Sequence, residues 1–192
     1  LYFSRILCTI RFALYWNFSF NMKKLVALLA TIFGLSSQAN AEEPTTHVLD
    51  YDKLIFLDAE TLAEQGILEA YEELQPELLK HISDLAEVEE KFDSDTPYYK
   101  VISQGETFSV YGPGLDENEG QSWGRAAHAF FSIVNLQLQE NDIKLYAING
   151  GNDLGGLFLT TDQYEAAIHS LPRKTDWPYL PTLEHPWYGQ PN

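Results

Sequence analysis

The chain is poor in sulfur and in positive charge. Its 192 residues hold one cysteine, Cys8, and one methionine, Met22, and 12 lysines and arginines stand against 28 acids, a formal net charge of −16. A lone cysteine cannot close an intramolecular disulfide, so stability has to come from the core. Phosphate binding needs the opposite charge, so nothing supports a nucleic-acid partner and none is expected. There is no Gly-x-Ser-x-Gly turn to present a serine nucleophile. The five histidines, His47, His81, His128, His169 and His185, form no His-x-x-x-His pair of the kind that ligates zinc. Long apolar runs are missing too: Leu25 to Leu35 is shorter than the roughly 20 residues that span a bilayer. A longer anchor over residues 6–36 would be interrupted by Arg11, Asn17, Lys23 and Lys24.

What is present near the start is an export signal. Lys23 and Lys24 form a positive n-region, Leu25 to Leu35 an apolar h-region, and Ala39-Asn40-Ala41 a small-x-small cleavage site. Residues 1–21 are expected to be an upstream-start artefact, 22–41 the signal peptide, 42–171 a single domain and 172–192 an extended arm packed on it. Cleavage after Ala41 removes Arg5, Arg11, Lys23, Lys24 and Cys8, leaving 8 basic residues against 28 acids, a net charge of −20. A chain of about 150 residues can bury a sufficient core without disulfides. A bacterial periplasmic or secreted protein, free of the membrane once cleaved, is the expected setting.

The mature chain centres on residues 122–160. Apolar residues from Trp123 to Leu138 cover most of a helical circumference, leaving one polar stripe, Arg125, His128, Ser132, Asn135 and Gln139. Ser122 is the expected N-cap. Ile143 to Ile148 and Leu157 to Leu159 read as strands joined by the glycine-rich Asn149 to Gly156. That loop suits hairpin geometry, with a ligand-binding loop as the alternative. Upstream, Lys53 to Leu57 reads as a strand and Asp58 as the cap of a helix that Gly66 breaks. Ile67 to Ile82 forms a second helix with a kink or fresh start at Pro76. Asp84 to Asp95 is expected to be a helix end and a solvated loop. Tyr98 to Gln104 and Thr107 to Tyr111 form a hairpin, and Thr160 to Gln163 matches a capping box. Prolines 172, 178, 181, 186 and 191, interleaved with Trp177, Tyr179, Trp187 and Tyr188, make the last stretch an extended arm. The expected fold is α+β: one mainly antiparallel sheet built from two hairpins plus an N-terminal strand, with the central helix buried.

No catalytic residue is assigned. His128 and Ser132 lie four apart, but a mid-helix serine has neither an oriented base nor an oxyanion hole. Asp116-Glu117-Asn118-Glu119-Gly120 approaches a calcium loop, yet Gly120 stands where a ligand belongs and Ala127 replaces the terminal glutamate. It reads as a solvated acidic loop, with an irregular calcium site as the alternative; no metal or cofactor is assigned. Collectively the acids would create a field that attracts a basic partner, although high charge also simply aids solubility.

Asn149 to Thr160 (NGGNDLGGLFLT), Leu171 to Pro181 (LPRKTDWPYLP) and the closing His185-Pro186-Trp187-Tyr188-Gly189-Gln190 resemble a group of small exported proteobacterial proteins of unassigned function. The resemblance implies a compact bacterial domain and no activity. The leading expectation is an immunity-like binding or inhibitor protein for a basic partner, such as a toxin or a cell-wall hydrolase. Asp116, Glu117 and Glu119 are its expected contacts, with Asn152 and Asp153 next. The alternative is a small hydrolase or carbohydrate-binding module whose cleft, between the polar stripe and the glycine-rich loop, is lined by Arg125, His128, Asn149 and Asp153.

Overall fold

The apolar surface of the central helix dictates the architecture. In the computed structural model, which describes residues 48–64, 66–115 and 118–192, these lie within one compact unit, Thr46–Asn192. Helix α3 (Glu119–Gln137) buries Ala126, Ala127, Ala129, Phe130, Phe131, Ile133 and Val134. Each large side chain among them contributes about 1.5–3 kcal/mol on leaving water. Helices α1 (Ala59–Glu64) and α2 (Ile67–Leu78) pack against it, as do strands of two antiparallel sheets.

The first sheet has the order β1-β6-β5, with β1 at Ile55–Phe56, β5 at Ile143–Ile148 and β6 at Gly155–Thr160. The second has the order β2-β3-β4, with β2 at Val88–Asp93, β3 at Tyr98–Ser103 and β4 at Glu106–Tyr111. The class is therefore α+β with two hairpins and an N-terminal strand, as expected, but the hairpins belong to separate sheets. Helix α4 (Thr161–Ser170) closes the chain of regular elements, begun by the Thr160–Gln163 capping box. The expected signal peptide and upstream stretch, and His47, fall outside the described residues.

Three local expectations are corrected. Asp84 to Asp95 is not a helix end and loop: Val88–Asp93 pairs along its whole length with β3, from Val88 opposite Ser103 to Asp93 opposite Tyr98. Its acidity masks a strand pattern, and the charges suit an edge strand, which they guard against pairing with other chains. The cap of α3 is Asn118 rather than Ser122; its side chain accepts from Gly120 N at 3.0 Å, while Ser122 Oγ donates to Glu119 O at 2.7 Å. Pro76 does not start a new helix: α2 runs through it and ends at Leu78, short of the expected Ile82. It sits in the last turn, where the chain closes with Leu79 N donating to Gln75 O at 2.9 Å.

Helix α1 is capped as the sequence suggests, Thr61 N donating to Asp58 Oδ1 at 2.8 Å. Gly66, at φ 119°, ends the α1 segment and leaves α2 without a local side-chain cap. The second sheet supplies the cap instead. Ile67 N donates to Tyr99 Oη at 2.7 Å and Leu68 N to Glu90 Oε1 at 2.8 Å, while the Tyr99 hydroxyl donates to the same carboxylate.

The polar stripe of α3 is only partly open to solvent: Arg125 is buried, His128, Ser132 and Asn135 are half-buried, and Gln139, past the helix end, is exposed. Asn135 Nδ2 donates to Leu145 O at 2.9 Å and its Oδ1 accepts from Leu145 N at 2.8 Å, stitching α3 to β5. Nearby, Gln137 Oε1 accepts from Ala86 N at 2.8 Å and from the Tyr71 hydroxyl at 3.1 Å. Asn135→Leu would strand both backbone groups of Leu145, so a loss of about 1–3 kcal/mol is expected. The measurement is the urea unfolding midpoint. A change below about 0.5 kcal/mol, the range of an ordinary surface substitution, would show that the stitch carries no stability.

Candidate functional site

The arm after α4 helps to build one of the concave features among the described residues. It first joins the free edge of β5: Ala147 N donates to Tyr179 O at 2.8 Å and Tyr179 N to Ala147 O at 3.0 Å. The buried Tyr179 side chain then donates its hydroxyl to Asn149 O at 2.6 Å. Burial pushes that hydroxyl's pKa up to about 12, so it is a proton donor at neutral pH. Beyond Leu180 the chain turns back on itself, with Thr182 N donating to Tyr188 O at 2.9 Å, Tyr188 N to Glu184 O at 2.7 Å and Gln190 N to Trp187 O at 2.9 Å.

This loop docks where α3 lacks a side chain. A Cβ on Gly124 would lie 2.4 Å from the Tyr188 ring, and one on Gly150 would lie 2.9 Å from Gln190 Oε1. Glycine at both places lets the loop approach the helix and the β5–β6 turn. The result is a cavity of about 230 Å³ between the first turns of α3, the Gly150–Gly151 turn and the arm. Aromatic and proline side chains dominate its wall: Trp123, Tyr179, Pro181, Pro186, Trp187 and Tyr188. Trp187 is 55 % exposed. The indole Nε1 of Trp123 is buried and has no partner among the described residues, an arrangement that costs about 1–3 kcal/mol.

Three carboxylates cluster on α1 and α3, two of the elements that contribute to the lining. Oxygens of Glu60, Glu64 and Glu119 all lie within 4.8 Å of one another. Glu60 and Glu119 adjoin the lining residues Ala59 and Gly120. Asn152 Nδ2 donates to Glu60 Oε2 at 3.0 Å, tying the β5–β6 turn to α1. Among the described residues of the lining, the ionisable side chains are Tyr179 and Tyr188.

The structure thus brings two of the sequence's partner-contact candidates together, Glu119 and Asn152, joined by Glu60 and Glu64. Asp153 is exposed in the same turn as Asn152. Asp116 and Glu117 lie outside the described residues. The set Arg125, His128 and Asn149 does not converge. Arg125 is only 8 % exposed, and its Nε donates to Val110 O of β4. It lines a different cavity, of about 550 Å³, with Thr96, Pro97, Tyr111, Gly112, Pro113 and Ser122. His128 also turns to β4, its ring 6.1 Å from that of Phe108, with Ser132 Oγ 3.4 Å from its Nε2. Asn149 is instead at the end of β5. A cleft between the central helix and the glycine-rich loop exists, but the apolar Trp123, Gly124 and Ala127 form its helix wall rather than the polar stripe.

Sequence reasoning missed Glu60, Glu64 and the docking role of Gly124. The i, i+4 spacing of the two glutamates was a signal, but only folding adds Glu119 to them. No family model, curated protein or solved structure matches the chain. Among the described residues no helix is long and apolar enough to cross a membrane.

Two outcomes follow from this geometry. Gly124→Ala would force the Tyr188 ring away at an overpacking cost of about 1–3 kcal/mol. Limited proteolysis should then cut within residues 181–190 while the rest stays intact; unchanged resistance would show that this contact does not anchor the arm. Burial also lowers the pKa of the half-buried His128 from its ordinary value near 6.5. The unfolded chain therefore binds the proton more readily, and stability falls as pH drops below about 6.5. His128→Gln should flatten that part of the stability profile, measured by urea unfolding at several pH values. An unchanged slope would assign the effect to other groups.

Proposed function

We propose that the chain is an exported acidic binding protein that captures a basic protein partner, in the manner of an immunity protein or inhibitor set against a toxin or a cell-wall hydrolase. The observation that carries this reading is the juxtaposition of an aromatic, proline-walled cleft with three clustered carboxylates. Aromatic pockets rimmed by polar groups are where interfaces concentrate their binding energy. The surplus of 28 acids over 12 basic residues supplies a field that would speed capture of a cation and repel other acidic proteins.

The cleft lining favours binding over a hydrolytic reaction. General acid–base catalysis places a titrating group within hydrogen-bond reach of the reacting proton. Here the described lining offers phenols, and the histidine and arginine of the alternative reading face β4. A carbohydrate module would use the same rings to stack a sugar, but would gain nothing from the net charge.

Salt separates the two. Immobilised protein should retain a basic protein from periplasmic extract or from the supernatant of competing bacteria at low ionic strength. Raising the salt toward 1 M, where the screening length falls to about 3 Å, should release it. Retention of neutral glycans, or of nothing, under both conditions would contradict the reading.

A further inference from the structure

The dimensions of the cleft restrict what can enter it. Sites for drug-sized ligands run from about 300 to 1,000 Å³. At about 230 Å³ the cavity is below that range, a size that suits one long side chain. Its chemistry restricts the occupant further. Indole rings are the strongest cation–π acceptors among side chains, and Trp123 and Trp187 both line the cleft. The carboxylates of Glu60, Glu64 and Glu119 add a second attraction for a cation. A guanidinium answers both at once: its plane stacks on an aromatic face and its fixed fork of N–H groups donates to carboxylates. The ammonium of lysine is a compact, strongly hydrated point charge with neither property. In the lining itself Trp187 is 55 % exposed, leaving apolar surface for the residues that flank such an anchor.

Resting on the reading of the chain as a binder of basic proteins, we propose that the arm-walled cleft is a socket for a single arginine side chain projecting from the partner. The arm is then part of the recognition surface, and Trp187, Glu60 and Glu119 are the residues that select arginine.

The test is a titration of the full chain, labelled with ¹⁵N, with acetyl-Gly-Arg-Gly-amide and with its citrulline counterpart, which keeps the shape and loses the charge. Indole N–H signals of Trp123 and Trp187 should shift saturably with the arginine peptide while that of Trp177 stays in place. Citrulline should weaken the apparent affinity about tenfold or more, as expected for loss of charge-assisted bonds. Trp187→Ala should weaken it about tenfold. The double variant Glu60→Gln with Glu119→Gln is close in shape to the parent and should weaken it similarly. Equal binding of the citrulline peptide, or no saturable shift at Trp187, would overturn the socket. Retention of a basic protein at low salt by wild type and Trp187→Ala alike would leave the partner reading standing and remove the socket. If the arginine peptide titrates Trp187 while no basic protein is retained, the socket stands and the partner reading falls.

Discussion

A helix packed against two sheets must find partners for the polar groups it buries, and that constraint shapes this protein. Helix α3 resolves most of it by giving polar side chains to its neighbours, with the buried Nε1 of Trp123 left over. Asn135 takes both hydrogen-bonding groups of Leu145, Arg125 donates to Val110, and Gln137 serves Ala86 and Tyr71. Unpaired, each would carry the desolvation penalty of a buried polar group. Paired, they fix how both sheets sit against the helix. The same logic appears at α2, whose glycine start would leave orphan N–H groups were it not for Glu90 and Tyr99 of the second sheet.

With Arg125 and Asn135 bonded to neighbouring backbone, the arm packs against the opposite property of the helix, its small and apolar first turns. Gly124 admits the Tyr188 ring, the arm folds over it, and the wall so formed holds most of the aromatic surface of the cleft. The arm thus wraps the domain and still leaves part of its aromatic surface open. An arm held by a bridge to β5 at Tyr179 and by its own turns can present exposed Trp187 at small entropic cost.

Much of the fold was legible because local chemistry and tertiary structure agree where it was read correctly. The Thr160 capping box, the Asp58 cap, the break at Gly66 and the alternation of Tyr98 to Tyr111 are each fixed by neighbours in sequence. Strand β2 was not legible, because Glu89, Glu90 and Lys91 look solvated until β3 pairs with them and α2 needs the Glu90 carboxylate as its cap. The site was half legible. Glu119 and Asn152, singled out from charge and turn chemistry, do lie close together around Glu60. Arg125 and His128 were misplaced because a helical stripe shows which residues share a face and not what covers that face. Gly124 gave no signal of its own, because its meaning depends on Tyr188, distant in sequence.

The claim that the arm-walled cleft receives a basic partner is tested most directly by placing a photo-crosslinking benzoylphenylalanine at position 187 and irradiating the protein in extract. A parallel probe replaces Phe56, an 85 % exposed ring that does not line the cleft. The account predicts an adduct with a basic protein at position 187, suppressed by high salt and missing at position 56. Identical adducts at both positions, or adducts at position 187 with acidic or neutral proteins alone, would contradict it.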